Sequence, residues 1–142
     1  MDANHVISLN IVTPEGQVYS QDVKRIIARA TDGDLGILPN HFPIIATLKI
    51  AEVRTLRADD VNREDAIAVN GGYIEFKDNV ANIVANSAEL AANIDLRRAR
   101  YAKQRAEAHI KQAVAKNDPD YRRRAEVALA RAVNRIHVYN DR

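Results

Sequence analysis

The chain has 142 residues, 46% apolar and 5% aromatic, with no Cys and no Trp; it is long enough for one good core plus a smaller appendage, and it excludes disulfides and thiolate metal sites. No apolar run nears the ~18 residues of a membrane span, and MDANHVIS lacks the regions of a signal peptide, so a soluble chain is expected, tied to a membrane only through partners. The net charge of +2 divides sharply, since residues 1–96 hold 8 Lys or Arg against 14 Asp or Glu and residues 97–142 hold 13 against 5. Two units with different partners would produce that split, as would halves that attract each other or a solvated basic helix surface.

From Ile7 the run Ile-Ser-Leu-Asn-Ile alternates apolar and polar residues, the period-2 pattern of a half-buried strand. Thr13-Pro14-Glu15-Gly16 supplies a turn, and a second short run opens at Val18 and Tyr19. Residues 23–31 read as a further strand closed by Asp32-Gly33. The stretch 33–49, GDLGILPNHFPIIATLK, is the pivot of this half. Gly33 and Gly36 permit backbone angles closed to other residues, and Pro39 drives Leu38 extended. Asn40 and His41 follow at a bend from which a side chain can project. Residues 44–48 read as a buried strand, 50–56 as another, and 57–65 as a polar loop.

Residues 66–69 run into Asn70-Gly71-Gly72, the strongest hairpin signal in the chain. Beyond it Ile74 and Phe76 point one way and Tyr73, Glu75 and Lys77 the other. Lys77-Asp78-Asn79 turns again, and residues 80–85 form a last strand. Short strands separated by turn residues at such intervals predict a β-sandwich or barrel, with no helix before residue 89.

Past Asn86 alanines multiply and the alternation stops. Asn93 or Asp95 can cap a helix running to about Lys116, with Leu96, Ala99, Ala106, Ile110, Ala113 and Val114 as its apolar stripe. Asn117-Asp118-Pro119-Asp120 stops it and restarts a second helix over 121–138, capped by Asp118 or Asp120, with Ala125, Ala128, Leu129, Ala132 and Ile136 on one face. The fold class expected is α+β, an N-terminal β-sandwich over 1–88 followed by a two-helix antiparallel hairpin over 89–142. Alanine seams bury little area, so the hairpin is expected to dock weakly and to have more than one arrangement.

Nothing in the chain reads as catalytic. The four histidines, His5, His41, His109 and His137, lie in separate regions without metal-ligand spacing, so no metal site is expected. No glycine-rich phosphate loop and no nucleophile elbow occur. Asp59-Asp60 reads as a solvated pair. The basic second half permits nucleic-acid binding, but Tyr101, Tyr121 and Tyr139 are its only aromatics and no nucleic-acid fold precedes them, so none is expected. One polar constellation stands out. Asp95 and Arg98 are three apart on the first helix, Arg131 and Arg135 four apart on the second. In a hairpin the three arginines would converge near a helix N-terminus, which favours anions. The alternative is solvated ion pairs with neighbours such as Asp95, worth ~0–1 kcal/mol each.

Several strings in family order resemble the ε subunit of bacterial F-type ATP synthases. GDLGILPNHFPI resembles that family's glycine-leucine-glycine, proline-x-histidine loop, Asn70-Gly71-Gly72-Tyr73-Ile74-Glu75 its glycine-glycine hairpin, and residues 79–89 its following strand. Ile94-Asp95 with Arg98-Ala99 matches the I/L-D-x-x-R-A motif, and residues 125–138 resemble the second helix. The resemblance implies a non-catalytic rotor subunit of a proton-translocating synthase, at the cytoplasmic face of the cell membrane. Its partners would be the γ subunit, the c-ring through loop positions Asp34 and His41, and the α/β subunits when the hairpin extends to block ATP hydrolysis. No cofactor is required. ATP is implied as a regulatory ligand on Glu89, Ile94, Asp95, Arg98, Ala99, Arg131 and Arg135. The rival reading is a free-standing nucleotide-binding or basic-helix adaptor.

Overall fold

A computed structural model describes residues 5–59 and 63–142 of the chain, so Asp60 of the expected carboxylate pair lies outside the described residues. Seven strands come first: β1 (Ile7–Thr13), β2 (Gly16–Ala30), β3 (Gly33–Ile37), β4 (Ile44–Arg57), β5 (Glu64–Lys77), β6 (Val80–Ala85) and β7 (Ala88–Leu90). A short 3-10 turn, Ala91–Asn93, leads to α1 (Leu96–Ala115) and α2 (Pro119–Asn140). The α+β architecture read from the pattern is the observed one.

The strands pair in the order β1-β6-β5-β4-β2-β3, with β7 on β5 and a further β1–β2 pairing that closes the path. Closure leaves few unpaired edges, which protects a small all-β unit from edge-to-edge association. Among the described residues only β1 and β6 run parallel. The inner faces meet in one core that includes Leu9, Ile26, Ile37, Ile67, Phe76 and Ile83.

Two expected pairs of short strands are single long ones. β2 carries register shifts at Val23/Arg25 and Ile27/Ala30, so its first part pairs with β1 and its last part with β3 and β4. Such bulges bend a strand without ending it. Residues 33–37, expected as loop, are β3, antiparallel to β2. Residues 44–48, expected to be buried, alternate instead, and Ile45 is 73% exposed.

The largest departure is at Asn70-Gly71-Gly72, where no hairpin forms. All three lie inside β5, with φ of +82° at Gly71 and +130° at Gly72. A Cβ on Gly72 would sit 2.0 Å from the Val84 carbonyl oxygen. The glycines let β5 bend while β6 passes close by, a second use of the residues that make tight turns. The two-residue turn is at Asp78 and Asn79, both in the left-handed region, and it joins β5 to β6 as expected.

The helix caps settle the open alternatives. Asp95 accepts from the Arg98 backbone N–H and Asp118 from that of Tyr121, each at 3.1 Å. Pro119 follows Asp118 in the first turn, where its missing N–H costs nothing. The seam between helices is narrower than the expected stripes: Ala99, Ala106 and Ala113 of α1 are buried, with Ala125 and Ala132 of α2. Val114 faces solvent, because it stands 100° around the helix from the Ala113 ridge, and Ala128, on the seam side of α2, is exposed where it lines a cleft between the helices.

The hairpin meets the sandwich mainly through the end of α2. Val138 is buried with Ala66, Ala68, Ala91 and Ile94, a cluster separate from the sandwich core. Beside it the Asn134 side-chain amide lies 3.5 Å from the Val69 carbonyl oxygen and 3.4 Å from Asn70 Oδ1.

Candidate functional site

Folding α2 back along α1 brings the start of the hairpin beside its end, and a groove of about 540 Å³ opens there against the sandwich. β7 presents Glu89, the capping turn presents Asp95, the first turn of α1 presents Arg98 and Ala99, and α2 presents Arg135. Arg131, one turn earlier on α2, lines an adjoining cleft of about 620 Å³ between the helices, and Arg135 borders both spaces. Ile94 is buried beneath in the docking cluster and does not line the groove.

Among the described residues Asp95 and Arg98 make no side-chain pair; the Asp95 carboxylate accepts from the Arg98 backbone N–H as a cap. Arg135 Nε lies 3.3 Å from Glu89 Oε1, a half-exposed pair tying α2 to β7. Arg98 and Arg131 make no ion pair among the described residues, so both guanidinium groups keep their donors available. The cleft is one-sided in charge: Arg105, Arg124, Arg131 and Arg135 line it with no carboxylate. The groove mixes Glu15, Glu89 and Asp95 with Arg98, Arg105 and Arg135, and adds the hydrogen-bonding groups of Asn70 and Ser87. Arginines facing an uncompensated apolar cleft favour polyphosphate, while the mixed groove offers neutral donors and acceptors.

Asn70, Ser87, Glu15 and Arg105 line the groove without having been expected there from the sequence. Asn70 and Ser87 meet because the Asn70 N–H donates to the Ser87 carbonyl at 2.9 Å, a pairing set by the sheet. Arg105 carried a signal: it lies seven residues after Arg98, two turns along one helical face.

Asp34 sits on β3, exposed and paired with Arg29 of β2. His41 lies in the β3–β4 loop but does not project. Its ring stacks on Phe42 at 4.4 Å and meets the edge of Phe76 at 5.8 Å. The side chains that stand out are Leu38 and Phe42, the latter 71% exposed. Asn40, in the left-handed region, accepts from Asn79 Nδ2 at 3.0 Å, and its N–H donates to Asn79 Oδ1 at 2.6 Å, which fixes the loop to the β5–β6 turn.

The model for the ATP synthase delta/epsilon chain β-sandwich domain matches residues 6–91, and that for its long α-helix domain matches residues 92–140. The epsilon chain of Lactobacillus delbrueckii subsp. bulgaricus is 55% identical over 139 residues, 97% of this chain and 95% of its own length. That of Levilactobacillus brevis is 53% identical over 96% of each.

This chain belongs to the epsilon-chain family of ATP synthase.

Membership makes it a non-catalytic stalk subunit of that complex. The fold agrees: a chain of the Euglena gracilis mitochondrial ATP synthase superposes with a TM-score of 0.74 at 20% identity, over 92% of this chain and 79% of the other. Among the described residues no helix is long and apolar enough to cross a membrane. The adaptor reading finds no support in relatives that are epsilon chains along their whole length.

Proposed function

We propose that this epsilon chain couples the γ subunit to the c-ring of a proton-translocating synthase at the cytoplasmic face of the membrane, and that its hairpin is a nucleotide-biased brake on ATP hydrolysis. The observation that carries the reading is the arginine-lined groove at the joint between hairpin and sandwich. ATP held there would touch β7, α1 and α2 together, so it favours the docked hairpin over any arrangement that separates them. Glu89, Asp95, Arg98, Ala99 and Arg135 form the groove, Arg131 reaches phosphate from the adjoining cleft, and Ile94 supports the floor.

Released from the sandwich, the basic hairpin would extend along γ to the α/β subunits and oppose hydrolysis. In this reading Asp34 and His41 contact the c-ring, and Leu38 and Phe42, in the same loop as His41, supply exposed apolar surface. The test is a reassembled synthase whose epsilon chain stops after Leu90, which keeps β7 on β5. ATP hydrolysis rises if the hairpin is a brake, and an unchanged rate removes that role. Separately, Arg131→Ala weakens ATP binding to the isolated chain by about tenfold or more, as loss of a charge-assisted contact should. Equal affinity takes Arg131 out of the site.

A further inference from the structure

Away from the groove, a cluster where α2 ends on β4 carries donor atoms that its own contacts leave unused. Glu52 of β4 is 7% exposed, yet its Oε2 is buried without a hydrogen-bond partner. Its other oxygen accepts from Arg54 Nη1 at 3.2 Å, and the same nitrogen donates to Asp141 Oδ2 at 2.7 Å. Arg54 thus aligns two carboxylates and leaves one oxygen of each uncommitted. His137 stands one helical turn before Asp141, whose N–H donates to the His137 carbonyl at 3.0 Å. The His137 ring makes no hydrogen bond among the described residues, and one donor atom from each of Glu52, His137 and Asp141 lies within 4.8 Å of the other two.

We propose that Glu52, His137 and Asp141 bind a divalent transition-metal ion of the zinc class, clamping the end of α2 to β4. One imidazole nitrogen and two carboxylate oxygens, with water in the fourth position, suit a tetrahedral zinc ion. Magnesium and calcium call for more oxygen ligands than the cluster offers. The charges agree: Glu52, Asp141 and Glu64 outnumber Arg54 and Arg25, which are already shared among them. Arg29 also borders the hollow, but it is paired with Asp34. Arg54 takes the outer role of fixing the ligand carboxylates.

None of the three residues lines the nucleotide groove, so the clamp stands or falls independently of ATP. A metal bound only to the docked arrangement would favour docking about elevenfold at a free concentration ten times its Kd.

Titration calorimetry of the full chain with zinc chloride in metal-free buffer, with magnesium chloride in parallel, tests it. The expected result is one zinc per chain, bound at least about tenfold more weakly by His137→Ala and by Asp141→Asn, and equally well by His109→Ala. Zinc should also slow amide exchange in residues 134–141 of the parent chain but not of His137→Ala. Both His137 and His109 are exposed, so neither substitution puts folding at risk. Absence of saturable zinc binding, unchanged affinity in His137→Ala, or magnesium binding as tight as zinc overturns the proposal.

Discussion

Val138→Ala isolates the docking of the hairpin from the stability of the sandwich. Val138 is fully buried, and its neighbours Ala66, Ala68, Ala91 and Ile94 belong to a cluster apart from the sandwich core. Truncation to alanine removes two buried carbon groups, at ~0.8 kcal/mol each, and leaves a small cavity among alanines that have no longer side chains to fill it. A loss of about 2 kcal/mol follows, close to a thirtyfold shift toward the undocked hairpin. Amide exchange followed by mass spectrometry resolves it. Protection of residues 96–140 should fall by about that factor while β1 and β6 keep theirs, because their core does not include Val138. An equal loss of protection in hairpin and sandwich would show one cooperative unit and refute a separately held hairpin.

Gly72→Ala should cost at least about 3 kcal/mol and lower Tm sharply, since the new Cβ meets the Val84 carbonyl oxygen at 2.0 Å in a backbone of φ +130°. Gly36→Ala, with no atom within 4 Å of the added carbon, should stay within about 1 kcal/mol of the parent in the same melt. Tyr19 gives a pH dependence: burial, then the 2.6 Å hydrogen bond to Asp65, raises its hydroxyl well above the ordinary 10.0. A raised folded pKa means the folded state holds the proton longer, so stability is fully present below pH 10.0 and is lost as pH climbs above it. Tyr19→Phe should flatten that alkaline slope in denaturant titrations from pH 9 to 12 and lower stability near neutral pH by about 1–3 kcal/mol. Leu38→Ser with Phe42→Ser should leave Tm unchanged, since both side chains are exposed, and should weaken retention of the subunit in a reassembled synthase.

What could be read from residue order alone was whatever local chemistry decides. The alternation in residues 7–11 makes β1, and Asp95 and Asp118 cap the helices because each carboxylate meets a backbone N–H three residues on. Gly71-Gly72 was misleading because one dipeptide serves both a turn and a bend in a continuing strand. The choice lies with Val84, on another strand. Likewise β2 and β4 run on through polar stretches, since their ladders are completed by distant partners. The arginines of the groove were legible through hairpin geometry, as Arg98 and Arg135 needed only antiparallel helices to meet. Asn70 and Ser87 were not, because only the register of β5 against the following segment joins them.

The energetic scale of the hairpin's contacts decides what can move it. Its apolar docking rests on one valine, one isoleucine and three alanines, with Tyr139 partly covering them. Its ion pairs to the sandwich, Arg135 with Glu89 and Arg54 with Asp141, are partly exposed and contribute on the order of 0–1 kcal/mol each. The sandwich has a core of large branched and aromatic side chains and a closed path of strand pairings. A ligand that distinguishes docked from undocked hairpin by a hundredfold contributes about 2.7 kcal/mol, more than the Val138 contact itself. Such a ligand can reset the position of the hairpin and leave the sandwich untouched. Had the seams been leucine and phenylalanine, neither nucleotide nor metal could compete, and the second half of the chain would be a fixed part of the first.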